Sequence, residues 1–327
     1  MVTVISTFAG CGGSSLGYKW AGYKELLAIE WEDNAVQTFK LNFPEVPVWQ
    51  RDICSVTGKE ILEFTGLKKG ELDLFDGSPP CQGFSTAGKR KVTDSRNDLF
   101  KEYVRILKDL QPKVFVMENV SGMIKGTMKG KFLEILQTLK DCGYNVKCKL
   151  MNAMWYDVPQ SRQRVIFIGV RNDLEIEPSY PLPKETFISF GEAVKGLPKQ
   201  TVPELSNFIK DIVPKMKQGQ CADDVKKGAG FQTVRLYNNK PCTTIMKMLS
   251  GIGFGAQIHP FENRVLSIDE FKRCATFPDD FKLIGKYQDQ KARLGNAVMP
   301  KFMMHIAKHI KEQILEKTGV KQVANVS

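Results

Sequence analysis

Five short runs combine residue types that can do chemistry. The first is Asp76-Gly-Ser-Pro-Pro-Cys-Gln-Gly-Phe-Ser85. It follows an apolar run, Leu72 to Phe75, that reads as a strand. Cys81 is therefore expected at the carboxyl edge of a sheet, where α/β proteins bind their ligands. Two prolines stiffen the approach to the cysteine, and Gly83 frees the far side. A cysteine met alone is by default a small, inert interior side chain. A rigid polar setting at a strand end is what a thiolate nucleophile requires instead. The second run is Met117-Glu-Asn-Val120, at the end of another apolar stretch. If the two strands are neighbours, Glu118 points into the same crevice, where a carboxyl group can share a proton with a ring nitrogen. By itself a strand-end Glu-Asn also serves as a helix cap.

The third run, Gln160-Ser-Arg-Gln-Arg164, precedes the strand-like Val165 to Val170. Strand alternation would put Gln160, Arg162 and Arg164 on one side. Two guanidinium groups there can hold a phosphate or a carbonyl oxygen in planar, bidentate fashion, or can simply form a solvated edge. The fourth is Phe8-Ala-Gly-Cys-Gly-Gly-Ser-Ser-Leu-Gly17, a strand entering a glycine turn and then a helix. Glycines let the backbone approach a ligand, and the helix start offers N–H groups to it. Glu30 closes the next strand, where a carboxylate can bind ribose hydroxyls. Asp52 follows a third strand-like segment and could accept from an adenine amino group. These features suit a dinucleotide or S-adenosylmethionine (AdoMet), and a purely structural turn is the alternative. The glycines miss the register of G-x-G-x-x-G, which weighs against a nicotinamide cofactor. The fifth run, Gly295-Asn-Ala-Val-Met-Pro300, opens a C-terminal helix, and Asn296 there could reach a cofactor or merely begin the helix.

Two further signals are weaker. Lys89-Arg-Lys91, just after Cys81, reads as a phosphate contact or a solvated basic loop. His305 and His309 are four apart, but no third ligand accompanies them, so no metal site is expected.

The elements that must position these residues are legible as alternating strand and helix patterns, the mark of a parallel sheet with crossover helices. Val2 to Phe8, Glu25 to Glu30, Leu72 to Phe75, Val114 to Met117 and Val165 to Val170 read as strands. Phe132, Ile135, Leu136 and Leu139 share one helical face, and Tyr103, Leu107 and Leu110 share another. Beyond about Glu175 prolines and glycines become frequent and periodicity fades. Residues 184–260 hold 11 Lys+Arg against 6 Asp+Glu. After His259 regular patterns return, with helices expected over Ile268 to Ala275 and Lys301 to Glu316. The expected division is a catalytic domain of residues 1–174 and 261–327, with a loop-rich domain of residues 175–260 inserted.

Composition narrows the classes. The 327 residues are 42% hydrophobic, enough for a sizeable core and against a disordered chain. No apolar run reaches the ~18–20 residues of a bilayer span, and the first residues read as a buried strand rather than a signal peptide. Eight scattered cysteines without a C-x-x-C pair fit neither a disulfide framework nor a zinc ribbon. A cytoplasmic protein with no membrane partner is expected. The formal charge of +11 favours polyanions, because each neutralised phosphate releases counterions.

Taken in order and spacing, the five runs resemble the DNA (cytosine-5)-methyltransferase family of bacterial and phage type, over nearly the whole chain outside the loop-rich segment. Pro-Pro-Cys-Gln-Gly-Phe-Ser is the most specific element of that resemblance. It implies a Rossmann-like, AdoMet-dependent methyltransferase domain with a small target-recognition domain, and a C-terminal helix returning to the catalytic domain. It implies AdoMet contacts from Phe8, Gly10, Gly12, Gly13, Glu30, Trp31, Asp52, Ile53, Leu99 and Asn296. It implies Cys81 as the nucleophile toward cytosine C6, Glu118 on N3 and the exocyclic amine, and Arg164, helped by Arg162, on O2. Double-stranded DNA is the implied partner, contacted by Gln82, Ser85, Lys89, Arg90 and Lys91, and by Arg235 and Thr244 in the recognition segment. The expected species is a monomer, with a cognate restriction endonuclease acting separately. The chain departs from the family in two places. Met299 stands where proline is common, and Arg273-Cys-Ala-Thr-Phe-Pro278 lacks the usual glutamine. The alternatives are a tRNA cytosine-5 methyltransferase of the same fold, which the Gly83-Phe84-Ser85 sequence speaks against, and a non-catalytic DNA-binding relative, which Cys81, Glu118 and Arg164 speak against.

Overall fold

A seven-stranded sheet organises the N-terminal half. Its strands are β1 (Thr3–Thr7), β2 (Lys24–Glu30), β3 (Val48–Gln50), β4 (Leu74–Gly77), β5 (Val114–Val120), β6 (Tyr144–Asn152) and β7 (Gln163–Arg171), in the spatial order β3-β2-β1-β4-β5-β7-β6. The computed structural model describes residues 1–80, 98–124, 129–230, 232–247 and 255–318. Helices α1 (Gly13–Trp20), α2 (Asp33–Asn42), α3 (Gly58–Thr65), α4 (Asp98–Leu110) and α5 (Lys129–Lys140) connect the strands. Local sequence sets their limits. For α3, Thr57 and Glu60 form a reciprocal capping box, and Gly66 ends the helix with φ 71°.

The strands β1 to β5 are parallel, as the alternation predicts, but β7 runs antiparallel to β5. A short apolar run carries no direction. Only the connection 153–162, too short for a crossover helix, forces β7 back along the sheet. The chain leaves β1 toward β2 and β3 on one side and later returns to β4 and β5 on the other. The order therefore reverses between β1 and β4, and the carboxyl ends of these two neighbours border a ligand crevice.

The apolar face made by Ile5, Phe75, Phe115 and Phe167 packs against α3, α4 and α5, with Ile61, Tyr103, Leu107 and Ile135 fully buried between them. On the opposite face α1 packs on β1 and β2, and its Tyr18 reaches Asp76 on β4. The expected C-terminal helix is Pro300–Ile310, continued by a π-helical turn at Lys311–Leu315. The Tyr23 hydroxyl donates to the Ala307 carbonyl at 2.9 Å. Among the described residues no helix is long and apolar enough to cross a membrane.

The chain forms two units. The first comprises Met1–Met151, Gln163–Leu182 and Met303–Ser327, and the second Asn152–Arg162 and Pro183–Phe302. The second unit thus takes in more chain than the 175–260 expected for the insertion. It has its own core of Ile209, Val213, Met216, Ile258 and Val265, a parallel pair β8 (Val234–Arg235) and β9 (Gln257–Ile258), and helices α6 (Ile268–Cys274) and α7 (Tyr287–Asn296).

Candidate active site

The glycine turn is built by backbone conformations that other residues resist. Phe8 has φ 55°, Gly10 φ 57° and Gly12 φ 92°. The Gly12 N–H closes the turn on the Ala9 carbonyl at 3.0 Å, and α1 starts at Gly13. At Gly12 a Cβ would lie 2.3 Å from Phe43 Cε2, so that position admits only glycine. At Gly10 a Cβ would meet no atom within 4 Å. The turn is thus packed on one side and open on the other.

Glu30 holds the turn. Its Oε2 accepts the Gly10 N–H at 2.8 Å, and its Oε1 accepts the N–H groups of Trp31 and Glu32 at 2.8 and 2.9 Å. The sequence assigned this carboxylate to a ribose, and the fold gives it a structural task as well. A carboxylate has about four acceptor positions, so a lone pair on Oε2 is still open to a hydroxyl. Trp31 next to it is 72% exposed. A large aromatic face held in water beside an open turn suits a flat ring such as adenine. The Arg51 N–H donates to the Glu30 carbonyl at 3.1 Å, which brings Asp52 and the buried Ile53 to the same rim. Asp52 accepts from the Cys54 N–H at 2.9 Å. Leu99, in the first turn of α4, is half-buried against the core. These residues fit AdoMet by shape and donor set: open space at Gly10, a spare acceptor at Glu30 and a bare indole at Trp31.

Two strands along the rim, Glu118 ends the apolar part of β5. Its Oε1 meets Arg164 Nε at 2.6 Å, with both side chains largely buried. Pairing of Val120 with Arg164 across β5 and β7 sets this contact. Arg164 Nη1 also donates to the Gln163 carbonyl at 2.7 Å. Next to Glu118, Asn119 donates from Nδ2 to the Pro79 carbonyl at 3.2 Å and accepts the Val120 N–H. The end of β5 thereby grips the proline that leads to Cys81, a function for Asn119 that its place in a strand-end motif only hints at. Cys81, Gln82, Ser85, Lys89, Arg90 and Lys91 lie outside the described residues.

Two arginine expectations are corrected. Arg162 does not share a strand face with Arg164, because β7 begins only at Gln163. It is 4% exposed, in the second unit, and donates to the carbonyls of Ile245 at 2.9 Å and Gly295 at 2.8 Å. Gln160 is likewise buried, accepting from the Ile245 N–H. Arg235 does not face outward to DNA. It is 4% exposed and donates to the carbonyls of Val213, His259 and Glu262 and to Asn263 Oδ1. Thr244 is half-buried, its hydroxyl donating to the Ser161 carbonyl at 2.8 Å. Asn296 is the exposed last residue of α7. His309, set aside as a metal ligand, has its Nε2 2.8 Å from Ser179 Oγ.

The site also rests on Asp76, which opens the first run but was given no task there, and on Tyr18. Asp76, inside β4, is 2% exposed, and its Oδ1 accepts from the Tyr18 hydroxyl at 2.9 Å. Burial first, and the nearby carboxylates of Glu25 and Glu118 in addition, push its carboxyl up to about 8.

Comparison with known proteins places this arrangement. The family model for C-5 cytosine-specific DNA methylases matches residues 2–312. The chain is 35% identical to the Type II methyltransferase M1.HphI of Haemophilus parahaemolyticus, over 94% of this chain and 86% of that one. It is 33% identical to the Type II methyltransferase M.Sau96I of Staphylococcus aureus, over 94% and 75%. Among solved structures, a prophage-encoded chain from E. coli, named for DNA modification methylation, superposes with a TM-score of 0.80 at 24% identity, covering 96% of this chain and all of that one. Spodoptera frugiperda DNMT2 gives 0.69 at 19% identity, over 98% and 100%. At these identities the structures speak for a shared fold.

Proposed function

The chain belongs to the C-5 cytosine-specific DNA methylase family, and on that premise we propose that it methylates carbon 5 of a cytosine everted from duplex DNA, with Cys81 as covalent nucleophile. The observation that carries the reading is the sheet's reversal between β1 and β4. It sets the open glycine turn and Glu30 on the same rim as the Glu118–Arg164 pair, with the strand that runs on toward Cys81 between them.

Phe8, Gly10, Gly12, Gly13, Glu30, Trp31, Asp52 and Ile53 would hold AdoMet, with Leu99 and Asn296 as further contacts. When bound, AdoMet supplies an electrophilic methyl group at C5. The target base must leave the stack first, since its ring faces are hidden in a duplex; this costs a few kcal/mol. The Cys81 thiolate then adds to C6. The S–C6 bond forms, and the displaced π electrons make C5 nucleophilic while charge builds at N3. Glu118 shares a proton with N3, taking it back when the ring is restored, and accepts from the exocyclic amine, while Arg164, already fixed against Glu118, turns guanidinium N–H groups toward O2. After C5 is methylated, water removes the C5 proton. Those electrons restore the C5=C6 bond and expel the Cys81 thiolate.

The second unit reads the target sequence in this proposal, from its basic loops rather than from Arg235. A cognate endonuclease acts as a separate protein, and the methylase works as a monomer. Incubation with labelled AdoMet and duplex DNA, followed by bisulfite sequencing, tests the activity. We expect label in a DNase-sensitive product at one short sequence, and none with Cys81→Ser. Wild-type turnover by that variant, or label in RNA alone, would overturn the reading.

A further inference from the structure

One carboxyl group ties together the two elements that the reaction must keep in register. Tyr18 and Ser14 are four apart on α1 and so share one face of the helix. Both are buried; the Tyr18 hydroxyl donates to Asp76 Oδ1 on β4 at 2.9 Å, and Ser14 acts on the same carboxyl, lowering its proton affinity. The same stretch of β4 is crowded from its other neighbours. The Thr7 hydroxyl donates to the Asp76 carbonyl at 3.0 Å. At Gly77 a Cβ would stand 2.6 Å from both Thr7 Oγ1 and the Tyr103 ring. Ser15, next along α1, donates to Glu25 Oε1 on β2 at 3.0 Å.

Two apolar side chains would bury α1 against the sheet at less cost, because desolvating a carboxyl and a phenol hydroxyl is unfavourable even when they bond to each other. A directional bond adds something packing does not: it fixes the slide and roll of the helix along the strand. The glycine turn opens directly into α1, and β4 runs directly into Ser78-Pro79-Pro80-Cys81.

We propose that Asp76, Tyr18 and Ser14 are positioning residues for methyl transfer, holding the cofactor turn in register with the strand that leads to the nucleophile. The inference rests on the function proposed above and deepens it. Misplacing reacting groups by about 1 Å can cost about a hundredfold in rate, so loosening this tie is felt in the chemical step.

The test is single-turnover methylation at saturating AdoMet and DNA, with DNA affinity and thermal unfolding measured alongside. Tyr18→Phe is expected to slow the step about tenfold or more and to leave DNA affinity unchanged. Asp76→Asn keeps an acceptor for Tyr18 and a neutral group in place, and is expected to stay within about threefold of wild type. The double variant Tyr18→Phe/Asp76→Leu replaces the bond by apolar contact. It is expected to melt no earlier than wild type and still to be slow. A double variant that folds and transfers at the wild-type rate overturns the proposal. If it fails to fold, a Tyr18→Phe rate equal to that of Asp76→Asn does so instead. A wild-type protein that never methylates DNA sinks the functional reading itself, a result distinct from either.

Discussion

Gly10 and Gly12 have left-handed backbones two residues apart, yet the structure requires them for different reasons, and alanine at each should separate these. At Gly12 (φ 92°) two costs add. Placing an L-residue in the left-handed region costs about 1–2 kcal/mol. A Cβ at 2.3 Å from Phe43 Cε2, and 3.1 Å from Cδ2 and Cζ, adds overpacking of about 1–3 kcal/mol. Phe43 cannot easily yield, because its ring lies tilted with its centroid 4.7 Å from that of Phe39 and carries the Lys19 ammonium 5.8 Å from its centroid. Gly12→Ala should therefore lose roughly 2–5 kcal/mol in urea unfolding. In a Phe43→Leu background the same change should cost only the backbone share, about 1–2 kcal/mol. At Gly10 (φ 57°) a Cβ meets nothing, so Gly10→Ala should cost that backbone share alone. On the proposed reading its methyl would enter the space that AdoMet would take, and calorimetry should show AdoMet affinity falling at least about tenfold, or about 1.4 kcal/mol. Equal stability losses at the two positions, or wild-type AdoMet affinity in Gly10→Ala, would refute the division into a packed side and an open side.

Two further outcomes follow from buried groups. The Asp76 carboxyl, raised from 3.8 to about 8, keeps a proton in the folded protein that the unfolded chain has already released, so its share of stability is lost as pH rises through that window. Asp76→Asn should remove this loss and gain on wild type between about pH 4 and 8, by at most about 6 kcal/mol. Glu25, Glu118, Tyr18 and Tyr103, which also face this site, remain in both proteins, and a constant difference across the range would contradict the argument. Arg235→Ala should unfold the second unit rather than merely weaken DNA binding. It orphans several buried acceptors at a cost of about 1–3 kcal/mol each, visible as early proteolysis within residues 183–302. A variant as protease-resistant as wild type but defective on DNA would return Arg235 to the surface role its charge suggests.

What could be read in the sequence was local. The glycine turn and the strand ends at Glu30 and Glu118 depend on residues close together in the chain. What could not be read depends on partners far away. Alternation placed Arg162 and Arg164 side by side because it assumed a strand through both. The strand starts between them, and Arg162 spends its charge on carbonyls 83 and 133 residues distant. Arg235 resembles any exposed arginine in a basic loop, since its acceptors at Val213, His259, Glu262 and Asn263 converge only on folding. Tyr18 and Asp76 sit in an apolar helix face and an apolar strand 58 residues apart, where each alone looks like a tolerated exception. The reversed direction of β7 belongs to the same class, decided by a connection rather than by the strand's own residues.

The three carboxyl groups at and just below the rim show how one sheet edge can set three different chemistries from one side-chain type. Glu30 is answered by backbone N–H groups from its own strand end and from the glycine turn, so its negative charge stiffens the loop and still offers an acceptor outward. Glu118 is answered by a guanidinium, so the charge is balanced by a group that can itself point donors at a substrate. Asp76 is answered by hydroxyls, which solvate a carboxylate weakly, and it lies near both Glu25 and Glu118. Burial therefore prevails there, raising the carboxyl to about 8 and favouring its neutral form. That neutrality is what allows it to lie inside the sheet beneath Glu118. An acid that keeps its proton can brace α1 against β4 through the Tyr18 hydroxyl without adding a second full charge beside Glu118.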